Sequence, residues 1–296
     1  MVGQALIPRL KASGYRVQTL TRNREESGND AIFWDPSMNE IEAEKLEGVH
    51  AAIHLAGENI ASGRWTKAKK KRILESRTKG TALLAQALAG LSNPPELLLS
   101  ASGINYYGNR GEDLLTEDDP PGKGFLADVC RQWEAAAEPA ENAGIRVVRL
   151  RIGPVLSPAG GMLKKILPPF RAGAGGRVGS GTQYLSWIAL PDLIEVMEFI
   201  LENPKARGAY NAVAPNPVTN AEFTRALAKI ISRPALVPIP AMVLRITLGE
   251  MADEMLLAST RGRPQRLEAA GFQFQYPELE PALRKVLESP SKPKNR

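Results

Sequence analysis

Residues 49–102 read VHAAIHLAGENIASGRWTKAKKKRILESRTKGTALLAQALAGLSNPPELLLSAS. Val49 to Leu55 reads as a strand, Lys67 to Leu88 as a long helix with a basic start, and Glu96 to Ser102 as a second strand. A strand, a helix and a strand in this order predict a βαβ unit and so a mostly parallel sheet. The loop after the first strand, AGENIASG, falls where open α/β sheets bind ligands, outside the carboxyl ends of the strands.

Working outward, the alternation continues. Gln4 to Ser13 reads as a helix closed by Gly14, which suits the left-handed position past a helix end. Tyr15 to Thr21 follows as a strand, then Ala127 to Ala143 as a helix and Arg146 to Gly153 as a strand. The loops SGINYYGNRGED and SPAGG lie after strands and join AGENIASG as places for a site. Beyond residue 155, Pro168, Pro169 and the glycines Gly173, Gly175, Gly176, Gly179 and Gly181 predict a broken, substrate-side segment. Asp192 to Leu201 and Asn220 to Ser232 read as helices around a strand at Ala209 to Ala214. The division this implies is an α/β domain over 1–232, a small, mostly helical C-terminal region over 233–288 and a disordered tail over 289–296.

Composition removes several function classes. With 43% hydrophobic and 24% charged residues the chain of 296 residues can bury a core, so disordered and fibrous classes are excluded. A lone cysteine, Cys130, makes no internal disulfide and no cysteine zinc site, which points to a reducing compartment. Only His50 and His54 are available, too few for most metal or histidine-dependent hydrolytic schemes, and no metal site is expected. No apolar stretch is long enough to span a membrane, and the N-terminus lacks a secretory pattern, so a cytoplasmic protein without a membrane partner is expected. The net charge of +6 is concentrated in Arg64, Lys67, Lys69, Lys70, Lys71 and Arg72 and in Lys292, Lys294 and Arg296 of the tail. Without interleaved aromatics, such a run reads as a solvated face or phosphate-binding edge, and nucleic acid is not the expected partner.

Five motifs in order carry a family resemblance: HLAGENI at 54–60, SASGINYYG at 100–108, TEDD at 116–119, RLRIGPVLSPAGG at 149–161 and GAYNAVAPNPVTNAEF at 208–223, with basic helix residues through Arg77. Over essentially its whole length the chain resembles an extended short-chain dehydrogenase/reductase. More narrowly, it resembles the atypical epimerase-family proteins, relatives of NAD(P)-dependent epimerases and dehydratases with a C-terminal domain of unknown function of the DUF1731 type. The resemblance implies a Rossmann-like doubly wound parallel sheet, NADP (NADPH) as cofactor and a substrate cleft against the C-terminal part.

It also implies site residues. Met1 to Leu6 looks like the end of the family's glycine-rich motif, with Gly3 matching the third glycine, the one for close helix-to-sheet packing. The first strand and the first two glycines are absent, and the expectation is a reading frame that starts upstream; the other reading is a divergent chain with an impaired pyrophosphate site. Arg22, after the strand ending at Thr21, stands beside the adenosine ribose in the resemblance, where an arginine suits a 2′-phosphate; the plain alternative is that Arg22 and Arg24 are solvated loop cations. Leu55, Ala56 and Gly57 match the small-residue strand end over which the cofactor passes, Arg72 and Arg77 the cofactor-side helix, and Pro154 the nicotinamide side.

The superfamily's Tyr, four residues before a Lys that lowers the phenol pKa, is missing: counted back from Glu134, those positions hold Leu126 and Cys130. Ser100 and Ser102 at a strand end and Tyr107 on the following loop are the substitutes, with Ser102 and Tyr107 as catalytic candidates and Ser100 on the cofactor side. His50 and His54 read as core histidines, and Asp192 as a helix cap. The reading is an NADP-dependent oxidoreductase or epimerase-like protein acting on a small carbonyl or sugar-like substrate. The alternative is a non-catalytic NADPH-binding regulator that signals to a partner.

Overall fold

The structure, a computed structural model, describes residues 1–288, so the expected tail lies outside the described residues. Four strands form the central parallel ladder: β4 (Ala51–His54), β5 (Leu97–Gly103), β6 (Arg146–Ile152) and β7 (Gly208–Ala212), ordered β7-β6-β5-β4. Leu99 stands opposite Ile53 on one side and Val148 on the other. A second ladder pairs β1 (Thr19–Thr21) in parallel with β2 (Ala31–Asp35), which pairs antiparallel with β3 (Glu40–Ile41). Among the described residues no strand joins the free edge of β1 to that of β4. Along this edge Ala51, Ala52 and Ile53 stay half-buried, whereas Leu97, Leu98 and Leu99 are sealed. Such an edge leaves backbone N–H and C=O groups without ladder partners.

Helices cover both faces. On one, α1 (Val2–Ala12) places Leu6 and Leu10, and α6 (Leu190–Glu202) places Leu193, Val196, Met197 and Ile200, against Leu97, Leu99, Val148 and Leu150. Val17 and Ile53 pack onto this same cluster, so side chains bridge the two ladders where backbone pairing does not. On the other face, α2 (Lys67–Ala89) and α4 (Glu138–Asn142) bring Leu84, Ala85, Leu88 and Ala140 onto Leu98 and Val147. Successive residues of a strand point to opposite faces, which is why a run as apolar as Leu97-Leu98-Leu99 serves two cores.

Several boundaries differ from the sequence reading. The helix expected over 127–143 is two, α3 (Phe125–Ala135) and α4, with the break at Ala136 and Ala137. Pro168 and Pro169 lie inside α5 (Gly161–Arg171), where the sequence predicts a break. The stripe Leu163, Leu167 and Phe170 is buried in a core with Trp187 and Phe223, and this packing outweighs the local cost of proline near the helix end. The strand Ala31–Asp35 was not foreseen; its five residues bury Ile32, Phe33 and Trp34.

α7 (Asn220–Ile231) begins with a capping box between Thr219 and Glu222. The C-terminal region then runs through α8 (Ala241–Leu248), a π-helical turn at Asp253–Leu257, α9 (Gln265–Ala269) and α10 (Leu279–Glu288). Carboxylates tie it to the rest. Asp192 does not cap α6; its two oxygens accept the N–H groups of Gln275 (2.9 Å) and Tyr276 (3.1 Å). Burial pushes its pKa up to about 6. Glu117 of the TEDD motif accepts the N–H of Asn211 in β7 (2.9 Å) and that of Arg266 in α9 (3.3 Å), so the motif is a clamp between the sheet and the C-terminal region.

Candidate functional site

The carboxyl ends of the strands present a set of groups suited to a dinucleotide. The first turn of α1 holds no acidic residue and no capping side chain, so its leading backbone N–H groups are open to an anion. Gly3 sits in that turn, but a Cβ there would meet nothing within 4 Å. At the end of β1, Thr21 is consumed locally: its hydroxyl donates to Glu26 (3.0 Å) and accepts from the Asn23 N–H (3.1 Å). Arg24 lies over the Phe33 ring and pairs with Glu40. The Arg22 guanidinium makes no hydrogen bond or ion pair among the described residues, though its charge adds to the hydrogen bonds that hold the nearby Asp35 carboxyl below its usual range.

Leu55 is half-buried, and Ala56 and Gly57 are exposed, at the end of β4. Beneath them lies Arg77, whose Nη1 donates to the carbonyls of Glu58 (3.1 Å) and Ile73 (3.1 Å). A Cβ on Gly57 would come within 3.1 Å of that guanidinium, a tight contact that Arg77 would have to shift to admit. Arg77 also stacks near Trp133 and is strongly desolvated, which lowers its pKa; its bond to the Glu58 carbonyl holds the turn in place. Two residues missed in the sequence share this task. Ser76 accepts the Glu58 N–H (2.9 Å), and Lys69, 5% exposed, donates to Glu58 (2.5 Å) and Ser62 (2.8 Å). Arg72 is exposed with only a 3.9 Å approach to Glu58. Pro154 stays at the carboxyl end of β6, half-buried, its carbonyl accepting the Ile188 N–H (3.1 Å).

The catalytic candidates are placed elsewhere. Ser100 is buried on the Leu98 face of β5, with a single long bond to the Ala101 carbonyl (3.4 Å). Ser102 is buried too and donates to Glu134 (2.8 Å). Tyr107 is fully buried, and its hydroxyl is within hydrogen-bond distance of the Thr116 carbonyl (2.7 Å), Asn211 (2.9 Å) and the Arg151 guanidinium, which donates to it (2.8 Å). Burial pushes its pKa up to about 12. An acid that cannot reach the cleft and holds its proton so tightly is not a proton donor to substrate. Ser102 and Tyr107 belong instead to a buried network joining β5, β6 and β7 through Arg151 and Glu134.

Leu126 and Cys130, at the superfamily's Tyr and Lys positions, are both buried. Leu126 packs with Trp65, Ile73, Val129 and Met251, and burial pushes the Cys130 thiol up to about 11, so it is no thiolate nucleophile. The start of α3 has Gly124 as its cap residue, with no side chain to receive the helix's first N–H groups. Glu254 of the π-helical turn supplies one from the C-terminal region, accepting from Phe125 (3.0 Å) and Leu126 (3.0 Å). A glycine at a helix start was the only sequence signal for it.

Of the two histidines, His50 is exposed, contrary to expectation, and His54 is a core residue. His54 Nε2 is buried without a hydrogen-bond partner, and burial lowers the pKa from 6.5 to about 4. Above pH 6.5 the ring is neutral both folded and unfolded; below it the unfolded chain takes up a proton that the folded chain refuses until about pH 4. Stability should therefore fall on acidification, by about 2 kcal/mol between about pH 7 and about pH 5. Urea unfolding of His54→Leu should show a flatter decline over that window, and an unchanged slope would place the acid sensitivity elsewhere.

Residues 1–213 match the NAD dependent epimerase/dehydratase family. The chain belongs to that family. Residues 239–286 match a domain of unknown function, DUF1731. The epimerase family protein Mb2239 of Mycobacterium bovis is 41% identical over 283 residues, 96% of this chain and 93% of that one. Human epimerase family protein SDR39U1 (isoform 2), solved with NADPH, superposes with a TM-score of 0.90 at 35% identity, over 98% of this chain and 96% of that one. A nucleoside-diphosphate sugar epimerase from Corynebacterium glutamicum gives 0.78 at 35% identity, over 97% of this chain and 56% of that one. Among the described residues no helix is long and apolar enough to cross a membrane, and no group of three or more His, Cys, Asp or Glu is arranged for a metal.

Proposed function

We propose that this chain is an NADP-dependent oxidoreductase of the epimerase family acting on a small carbonyl or sugar-like compound, in a reducing, cytoplasmic setting. The observation that carries the cofactor choice is the Arg22 guanidinium at the end of β1, which makes no hydrogen bond or close ion pair among the described residues, against an Arg24 already bound to Glu40 and Phe33. The NADPH in the solved human relative supports the same choice. Arg22 would hold the 2′-phosphate, the open N-terminus of α1 the pyrophosphate, and the Ala56-Gly57 turn, propped by Arg77, the nucleotide's adenosine side. When bound, the nicotinamide supplies hydride transfer. The chain's part is to bind and to orient, since neither Ser102 nor Tyr107 presents a proton to the cleft. The basic run does not argue for nucleic acid, because Lys69 and Lys70 are paired with Glu58 and Glu250.

Burial of Leu126 and Cys130 in the Tyr and Lys positions favours a second reading, a cofactor-binding regulator without turnover. Incubation with NADPH deuterated at nicotinamide C4 and a panel of small aldehydes, ketones and keto sugars separates the two. Deuterium appearing in a product supports the oxidoreductase; tight NADPH binding with no transfer to any member supports the regulator.

A further inference from the structure

The ends of three helices meet at a hollow of about 470 Å³. α5 ends there at Arg171, α7 at Ile231 with Arg233 just beyond it, and α10 at Glu288 with Arg284 one turn before. Ile230, Ile231 and Leu287 give the hollow an apolar lining, and they also pack on the core that holds Leu227 and Leu283. The volume is that of a small-molecule site, for which roughly 300–1,000 Å³ is usual. Among the described residues, none of the strand-end loops lines it. α5 begins beside the start of α1, where the Met1 side chain lies against Gly160. Its other end, at the hollow, is about 16 Å away along the helix axis.

The charges around the hollow are unbalanced. Ser232, at a φ of 53°, turns the chain back at the end of α7, so that the Arg233 N–H bonds the Ala228 carbonyl (3.1 Å). Arg233 Nε then donates to the Arg171 carbonyl (3.2 Å). Its two Nη groups and the whole Arg171 guanidinium make no hydrogen bond or ion pair among the described residues. Arg284 comes only within 3.8 Å of Glu280, whose two oxygens are taken by Lys229 (3.1 and 3.0 Å). Glu288 is the one carboxylate lining the hollow among the described residues, so three guanidinium charges face a single negative one. Cations near helix C-termini ordinarily serve the last carbonyls. Here only Arg233 Nε is spent in that way.

We propose that this hollow is a second ligand site, apart from the dinucleotide, that binds a small phosphomonoester with an apolar body. A phosphomonoester carries about −1.5 to −2 charges near neutral pH, which matches the two uncompensated guanidinium charges. Its three terminal oxygens can accept from several planar guanidinium forks at once, whereas a carboxylate has one charge and two oxygens to offer. Ile230, Ile231 and Leu287 then take the body of the molecule out of water. The site uses none of the residues assigned to the cofactor, so both ligands bind the same chain together.

The test is calorimetric titration of the full chain with phenyl phosphate, inorganic phosphate and benzoate, with and without saturating NADPH, above the second phosphate pKa of about 6. Phenyl phosphate should bind at least about tenfold tighter than benzoate, through charge, and than inorganic phosphate, through the apolar lining. Saturating NADPH should leave its affinity unchanged. Arg171→Glu and Arg284→Glu should each weaken it by at least about tenfold. Both positions are exposed, so the thermal midpoint stays at the parental value and lost binding is told from lost folding. Leu287→Ser should bring phenyl phosphate down to the level of inorganic phosphate. The proposal is overturned by an absence of saturable binding, by benzoate binding as tightly, by displacement with NADPH, or by parental affinity in both charge-reversed variants. Those variants decide the matter even if the chain does not bind NADPH, and no readout depends on turnover.

Discussion

Glu134→Ala should unfold this protein at a temperature on the order of 10 °C lower than the parent, the consequence of losing about 3–5 kcal/mol. The Glu134 side chain is 10% exposed and that of Arg151 5%, and they meet in a two-pronged pair, Nε to Oε1 at 2.8 Å and Nη2 to Oε2 at 2.9 Å. Burial works against the guanidinium charge, but Glu134 and Tyr107 outweigh it and the Arg151 pKa is raised. Removing the carboxylate alone leaves that charge in a dry site facing Tyr107 and stacked 3.5 Å above the Tyr106 ring. Replacing both partners with apolar residues, Glu134→Leu with Arg151→Met, should cost less than Glu134→Ala alone, and a double-mutant cycle in urea measures the coupling. The same network decides what Tyr107→Phe does. It should lower stability by about 1–3 kcal/mol, because Arg151 and Asn211 lose a partner, and leave any turnover per folded molecule unchanged. A Tyr107→Phe protein of parental stability and lost activity would restore the catalytic reading that the buried hydroxyl argues against.

That contrast marks where the sequence could be read and where it could not. Strands such as Leu97–Gly103 and helices such as Lys67–Ala89 were legible because burial on a repeating lattice leaves a local pattern. Side-chain roles were less so. Ser100 and Ser102 lie in a strand that ends at the ligand side and Tyr107 follows it, yet the pleat turns both serines toward the helices, and the loop folds Tyr107 back onto Arg151. Spacing alone carries no record of that turn. Glu117, Asp192 and Glu254 were illegible as clamps because each bonds backbone N–H groups 83 to 149 residues away, and any residue but proline supplies such a donor. Arg77, expected on the cofactor-side helix, lies against the Gly57 turn and bonds the Glu58 carbonyl, a contact between residues 19 apart that spacing does not record.

Arg22→Glu should weaken NADPH binding by about a hundredfold or more while leaving NADH binding within a few-fold of the parent. A charge-assisted bond to a phosphate contributes about 1.5–3 kcal/mol, and a carboxylate in its place adds repulsion to the loss. The selectivity depends on the neighbouring cation being unavailable. Arg24 is held over Phe33 at 4.1 Å and paired with Glu40, so it has no free guanidinium edge to take over the task. Arg24→Ala should therefore change NADPH affinity little and act mainly on the β2–β3 hairpin that carries Phe33 and Glu40. Calorimetric titration of both variants with both dinucleotides decides the matter. Equal losses for NADPH and NADH in Arg22→Glu would mean that the residue supports the fold of the β1 end and does not read the 2′-phosphate. An unchanged NADPH affinity would mean that the phosphate is held by other groups, the exposed Arg72 at the start of α2 being the first to substitute.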